Sequence, residues 1–211
     1  MDSKKSTANL RRSARAPKRR RGMLRVASLM DAASAVIAER GYESATMAEI
    51  AARAGAQIGS LYRFFPNKEV LADALIHRYG ELIDAAFRKI ESQAASSSVD
   101  ALADSLLDVF VELHDESEAI VALLDARSEW SVKRAELRKA VLRSIAQILL
   151  LRSPQLRPQT AKDIAVVVLQ NMKTMKAIAF EQEIATSPGA IAELREMNRL
   201  YLASKLSKKR P

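Results

Sequence analysis

The sequence predicts an all-α fold of about nine helices, and three observations carry that reading. Apolar residues recur at three- and four-residue spacing through most of the chain. Glycine and proline are sparse, six of each in 211 residues, while Ala, Leu, Glu, Arg and Lys dominate, which favours helices. No pair of strand-like runs and no internal repeat is found.

The first helix is expected over about 24–40, where Val26, Leu29, Met30, Ala33, Val36 and Ile37 form one apolar face. Gly41 follows as a left-handed stop, with Tyr42 free to fold back on the last turn. The second helix opens at Thr46, because Thr46 and Glu49 have the spacing of a capping box. Met47, Ile50, Ala51 and Ala54 face inward, and Gly55 turns the chain. The third helix is short, about 57–64, with Ile58, Leu61 and Phe65 as inward anchors and Tyr62, Arg63 and Phe64 more exposed. Asn67 caps a fourth helix that runs to about Gln93. After a small, Ser-rich break at 94–98, helices are expected near 99–114, 116–128, 131–151, 159–184 and 188–206. Ser131 is placed to cap the third of these, and Ser187 followed by Pro188 starts the last. The organisation predicted is a basic, disordered arm at 1–21, a helix-turn-helix domain at 22–83 with its motif at about 45–64, and a larger helical domain at 84–211.

Composition removes several functions. Without cysteine there is no disulfide framework, thiolate metal site or cysteine nucleophile. With only His77 and His114, no phosphate-cradling glycine loop and no H-E-x-x-H, nothing suggests an enzyme, a metal or a cofactor. No apolar run approaches the ~18 residues of a membrane span, and no secretory core is seen, so a soluble, cytoplasmic protein is expected.

The net charge of +9 is concentrated. Residues 1–25 hold ten of the 34 Lys/Arg and one of the 25 acids, so the rest of the chain balances at 24 and 24. Such an arm has too little apolar surface to bury and suits contact with phosphate, or equally a solubilising tail or a membrane-surface patch.

Within 46–68, three features exceed what folding asks for. Gly59 lies inside a helix, where it costs about 1 kcal/mol against Ala. Gly59 and Ser60 leave a small-surfaced patch for close approach, and Tyr62 and Arg63 follow it. Lys68 falls in the first turn of a helix, where a cation opposes the helix dipole by roughly 0.3–1 kcal/mol. A bound phosphate would explain that placement.

Over about 25–83 the chain resembles the DNA-binding domain of the TetR/AcrR family of bacterial transcriptional regulators. The likeness rests on A-E-R-G-Y-E-S-A-T-M-A-E-I-A-A-R-A-G and I-G-S-L-Y-R-F-F-P-N-K-E-V-L. It implies a sequence-specific regulator of transcription, a repressor released from a palindromic double-stranded operator by a small hydrophobic effector. It also implies roles. Arg25 belongs to the DNA-binding set. Thr46 would contact a phosphate. Gln57, Ile58, Gly59 and Ser60 would face base edges or sugar, with Gln57 able to pair with adenine and Ile58 to touch a thymine methyl. Tyr62 would bond a phosphate, Arg63 would reach base or backbone, and Lys68 would hold another phosphate. Phe64 departs from the family pattern, which often has a histidine or tyrosine there. The arm, longer than is usual in the family, suggests added backbone or minor-groove contacts.

The family pairs its last two long helices with a symmetry mate, which points to a homodimer. The apolar stripes that fit are Ile164, Val168, Met172 and Met175 in one helix, with Val167, Asn171 and Ile178 beside them, and Leu194 and Tyr201 in the next, with Ile191, Met197 and Leu202. The same stripes also suit an intramolecular core. For an effector pocket the candidates are Phe110, His114, Leu123, Trp130, Gln147, Met172, Met175 and Phe180, a mixed lining that also suits plain core packing. The rival reading is a nucleoid-type protein that binds nucleic acid without sequence preference through its arm.

Overall fold

The computed structural model describes residues 20–126, 130–180 and 189–206. Among these residues there are nine helices and no strand. They are α1 (Arg20–Ser44), α2 (Met47–Arg53), α3 (Ile58–Phe64), α4 (Lys68–Gln93), α5 (Val99–Glu112), α6 (His114–Ala126), α7 (Ser131–Arg152), α8 (Pro158–Phe180) and α9 (Ala190–Leu206). The arm up to residue 19 and the Ser187–Pro188 helix start lie outside the described residues. Arg20 and Arg21, read from sequence as part of the arm, fall in the first turn of α1. The helices divide into two compact units. Of the described residues, one comprises those up to Tyr79 together with Glu118–Ala126 and Trp130, and the other Gly80–Ser117 with those from Ser131.

In the first unit, α1 buries Leu29, Ala33, Val36 and Ile37 on one stripe. Gly41 interrupts the helix with φ +76°, a conformation that only glycine enters readily. The break turns Tyr42 inward, where it is 1% exposed. Both halves of the capping box form. The Glu49 amide donates to Thr46 Oγ1 at 3.2 Å, and the Thr46 amide donates to Glu49 Oε2 at 3.2 Å. Gly55, at φ +57°, then reverses the chain into α3. Asn67 accepts the Val70 amide at 2.8 Å and so starts α4.

The second unit is organised by α8, whose stripe of Ile164, Val168, Met172 and Met175 is buried. Ser98 caps α5 by accepting the Ala101 amide at 3.1 Å. Charged rungs join α5 to α9, with Arg195 on Asp108 and Arg199 on Asp104. Between the rungs sits Asn198, fully buried. It donates to the Ala103 carbonyl at 3.2 Å and accepts from Asn171 at 3.1 Å. A buried amide satisfied from two other helices fixes the register of α9, because a shift would leave its polar atoms unpaired.

The capping box generates a prediction. The Thr46 hydroxyl, and then its backbone amide, hold the Glu49 carboxyl below its ordinary pKa. A lowered folded pKa stabilises above the unfolded value, and the gain disappears as pH falls through the folded value. Thr46→Ala removes the cap and is expected to lower stability by about 1 kcal/mol near neutral pH. Urea titrations at a series of pH values should show the gap between the two proteins narrowing toward acid. A gap independent of pH would separate the cap from Glu49.

Candidate nucleic-acid interface

The short helix α3 owes its orientation to three residues on one side. Leu61, Phe64 and Phe65 are buried, and the helical spacing puts positions 59, 62 and 63 on the opposite face, with 58 at its edge. On that face Ile58 is 45% exposed and Tyr62 is 47% exposed. Gln57, Gly59 and Arg63 are also exposed, and Ser60 is half-buried. Gln57 itself is the extended residue before the helix. Thr46 and Arg25 are exposed too. An isoleucine and a tyrosine beside an amide and a guanidinium form a surface of mixed chemistry, suited to reading base edges and thymine methyl groups.

Gly59 has no explanation inside the protein. Its φ is not positive, and a Cβ built there would meet nothing within 4 Å. A bare backbone on an exposed helix face matters only to something that approaches from outside.

Three expectations need correction. Ile58 is no inward anchor, because Leu61, Phe64 and Phe65 already fill the space under α3. Phe64 is 6% exposed and belongs to that packing rather than to the exposed face. The Arg63 guanidinium lies 4.8 Å from the Phe64 ring, which steers it along the helix face.

Lys68 is the third correction. Its ammonium donates to the carbonyls of Tyr42 at 2.8 Å, Glu43 at 3.1 Å and Ala45 at 3.1 Å. An ammonium has three donors, and all are taken. It also stands 4.4 Å from the centre of the Tyr42 ring. Lys68 is therefore a brace that gathers the carbonyls where α1 gives way to α2, and its hydrogen bonds are not left over for phosphate. The edge of Trp130 meets the Tyr42 ring with centres 4.9 Å apart and planes at 71°. Sequence reading missed this cluster. Tyr42 and Trp130 stand 88 positions apart, and no local pattern links them.

The other candidate sets are also rearranged. Of the proposed dimer residues, Ile164, Val168, Met172, Met175 and Leu194 are buried within their own chain, and Tyr201 is half-exposed. These stripes are the core of the second unit. Their exposed neighbours are Val166 and Val167 on α8 and Ile191, Met197 and Leu200 on α9. Of the pocket candidates, Leu123 and Trp130 belong to the first unit and the other six to the second. His114 stacks flat on Phe180 at 3.6 Å between ring centres. Met172 and Met175 are buried in the core, while Phe110 is half-buried and Gln147 exposed. Among the described residues no group of three or more His, Cys, Asp or Glu could hold a metal. No described helix is long and apolar enough to cross a membrane.

Residues 29–75 match the family described as bacterial regulatory proteins, tetR family. The chain is 32% identical over 95 residues to the HTH-type transcriptional repressor KstR2 of Rhodococcus jostii (strain RHA1), covering 45% of this chain and 46% of that protein. The matched stretch thus spans under half the length of that relative. Whole-chain likeness comes from structures. A transcriptional regulator from Aquifex aeolicus VF5 superposes with a TM-score of 0.67 at 17% identity, covering 85% of this chain and 98% of that one. FadR from Bacillus subtilis, solved in complex with stearoyl-CoA, does so with a TM-score of 0.61 at 20% identity, covering 86% and 99%.

The brace predicts a folding defect. Lys68→Met removes charged hydrogen bonds worth roughly 1.5–3 kcal/mol apiece in general, partly replaced by water at these carbonyls. Urea unfolding of the full chain should show a loss of about 2 kcal/mol, with Lys68→Arg intermediate. A variant as stable as the parent would show that the carbonyls do not need the lysine.

Proposed function

Because the chain belongs to the TetR family of bacterial regulatory proteins, we propose that it binds a specific DNA operator as a dimer and represses transcription until a small hydrophobic effector is bound. The observation that carries this reading is the exposed face of α3. Gln57, Ile58, Gly59, Tyr62 and Arg63 are presented to solvent together, on a helix too short to do so unless Leu61, Phe64 and Phe65 anchor it. Gln57 and Ile58 read base edges, Ser60 and Gly59 allow close approach, and Thr46, Tyr62 and Arg25 hold phosphates. The basic arm adds phosphate contacts beside them.

One such unit reads few bases, so two must meet successive major grooves about 34 Å apart. The surface that suits a homodimer is the exposed apolar set Val167, Ile191, Met197 and Leu200, rather than the buried stripes beneath it. Effector control is supported by analogy with the stearoyl-CoA complex of the Bacillus subtilis protein. An effector acts only through unequal affinity for two arrangements of the dimer. Nothing in this reading involves catalysis, and it places the protein in the cytoplasm with the chromosome.

Two outcomes are expected. Binding sites selected from random DNA by the parent and by Gln57→Ala should differ at the position facing residue 57, whereas Tyr62→Phe should weaken binding uniformly. An unchanged preferred site for Gln57→Ala would contradict base reading by Gln57. If selection enriches no motif at all, the protein is the non-specific binder instead. Val167→Asp combined with Leu200→Asp should give a monomer in sedimentation velocity, and a persisting dimer would place the interface elsewhere.

A further inference from the structure

The second unit carries a groove of about 450 Å³ between α7 and α8, lined by nine residues, Leu142, Ala146 and Val166 among them. The volume falls in the ~300–1,000 Å³ range of small-molecule sites. On α7 the lining positions 139, 142, 143, 147 and 150 lie opposite the buried Val141, Ile145, Ile148 and Leu149, with the buried Ala146 at the floor, so the groove opens away from the core. Of the eight residues suggested from sequence as a pocket, only Gln147 is here.

The charges of the lining are of one sign. Lys139, Arg143 and Lys162 stand at the rim, and no acid lines the groove. Elsewhere in this unit the half-buried Arg195 and Arg199 pair with carboxylates on α5. Among the described residues, Lys139, Arg143 and Lys162 have no ion pair and no side-chain hydrogen bond. An apolar floor with three unpaired cations at its edge is complementary to a molecule with an apolar body and an anionic head.

We propose that the α7–α8 groove binds amphipathic anions, with Leu142, Ala146, Leu150 and Val166 holding an alkyl or aryl body and Lys139, Arg143 and Lys162 holding a carboxylate or phosphate head. The proposal does not depend on DNA binding, and its test contains no DNA. Calorimetric titration of the full chain would use dodecanoate and dodecyl phosphate below their micellar concentrations, with dodecyltrimethylammonium as the cationic control. Both anions should bind, the phosphate more tightly if its second charge is used, and the cation should not. Replacing Lys139, Arg143 and Lys162 together by glutamine should weaken binding at least tenfold. Ala146→Trp, which fills the floor and leaves the charges, should weaken it similarly. Circular dichroism of both variants checks that the helices persist.

Equal binding of anion and cation would overturn the proposal. So would binding unaffected by both variants, which would move the ligand to another site, and absence of binding by the folded parent. Sedimentation of Ala146→Trp supplies the remaining outcome. A change of oligomeric state would make the groove a contact between copies of this chain and would also overturn it.

Discussion

The presentation of α3 depends on one ammonium. Lys68 draws the carbonyls of Tyr42, Glu43 and Ala45 toward a single point, and these lie in the segment that leads from Gly41 to the Thr46 cap. Three carbonyl dipoles aimed together repel one another unless a cation sits among them. With the cation in place, the end of α1, the start of α2 and the start of α4 are joined at one atom. The helix between α2 and α4 has only seven residues, of which Leu61 and Phe64 are buried. Its exposed face is held because the elements on either side are held.

That arrangement reverses a natural inference. A lysine in the first turn of a helix, next to free amides, reads as a phosphate ligand, and the positive charge there is electrostatically unfavourable without a partner. The partner is internal. The backbone carbonyls supply the negative field that sequence reasoning assigned to DNA. A long-range contact of 23 to 26 positions leaves no periodic signal, so the brace was not legible before the fold was known.

Much else was legible, for definable reasons. Gly41, Thr46 with Glu49, Gly55 and Asn67 act through neighbours within a few positions, and each appears where the local pattern put it. The exposure of Gln57, Tyr62 and Arg63 also followed from the spacing. What failed was sidedness. In a seven-residue helix, Ile58 and Phe64 stand three positions to either side of Leu61 and flank it equally, and the aromatic won the core because it buries more area. The buried members of the dimer set, Ile164, Val168, Met172, Met175 and Leu194, were misassigned for a related reason. A stripe of Ile, Val and Met at helical spacing is the same string whether it meets its own chain or another, and here its own chain covers it.

The account separates what positions the reading face from what touches DNA, and the salt dependence of binding measures that separation. Operator affinity would be followed for the parent and Lys68→Met over a range of salt concentrations, with both proteins folded. A residue that touches phosphate contributes about 0.9 to the slope of log affinity against log salt. The account predicts that Lys68→Met weakens binding at every concentration and leaves the slope unchanged. A slope lowered by about one contact would show that Lys68 reaches DNA after all.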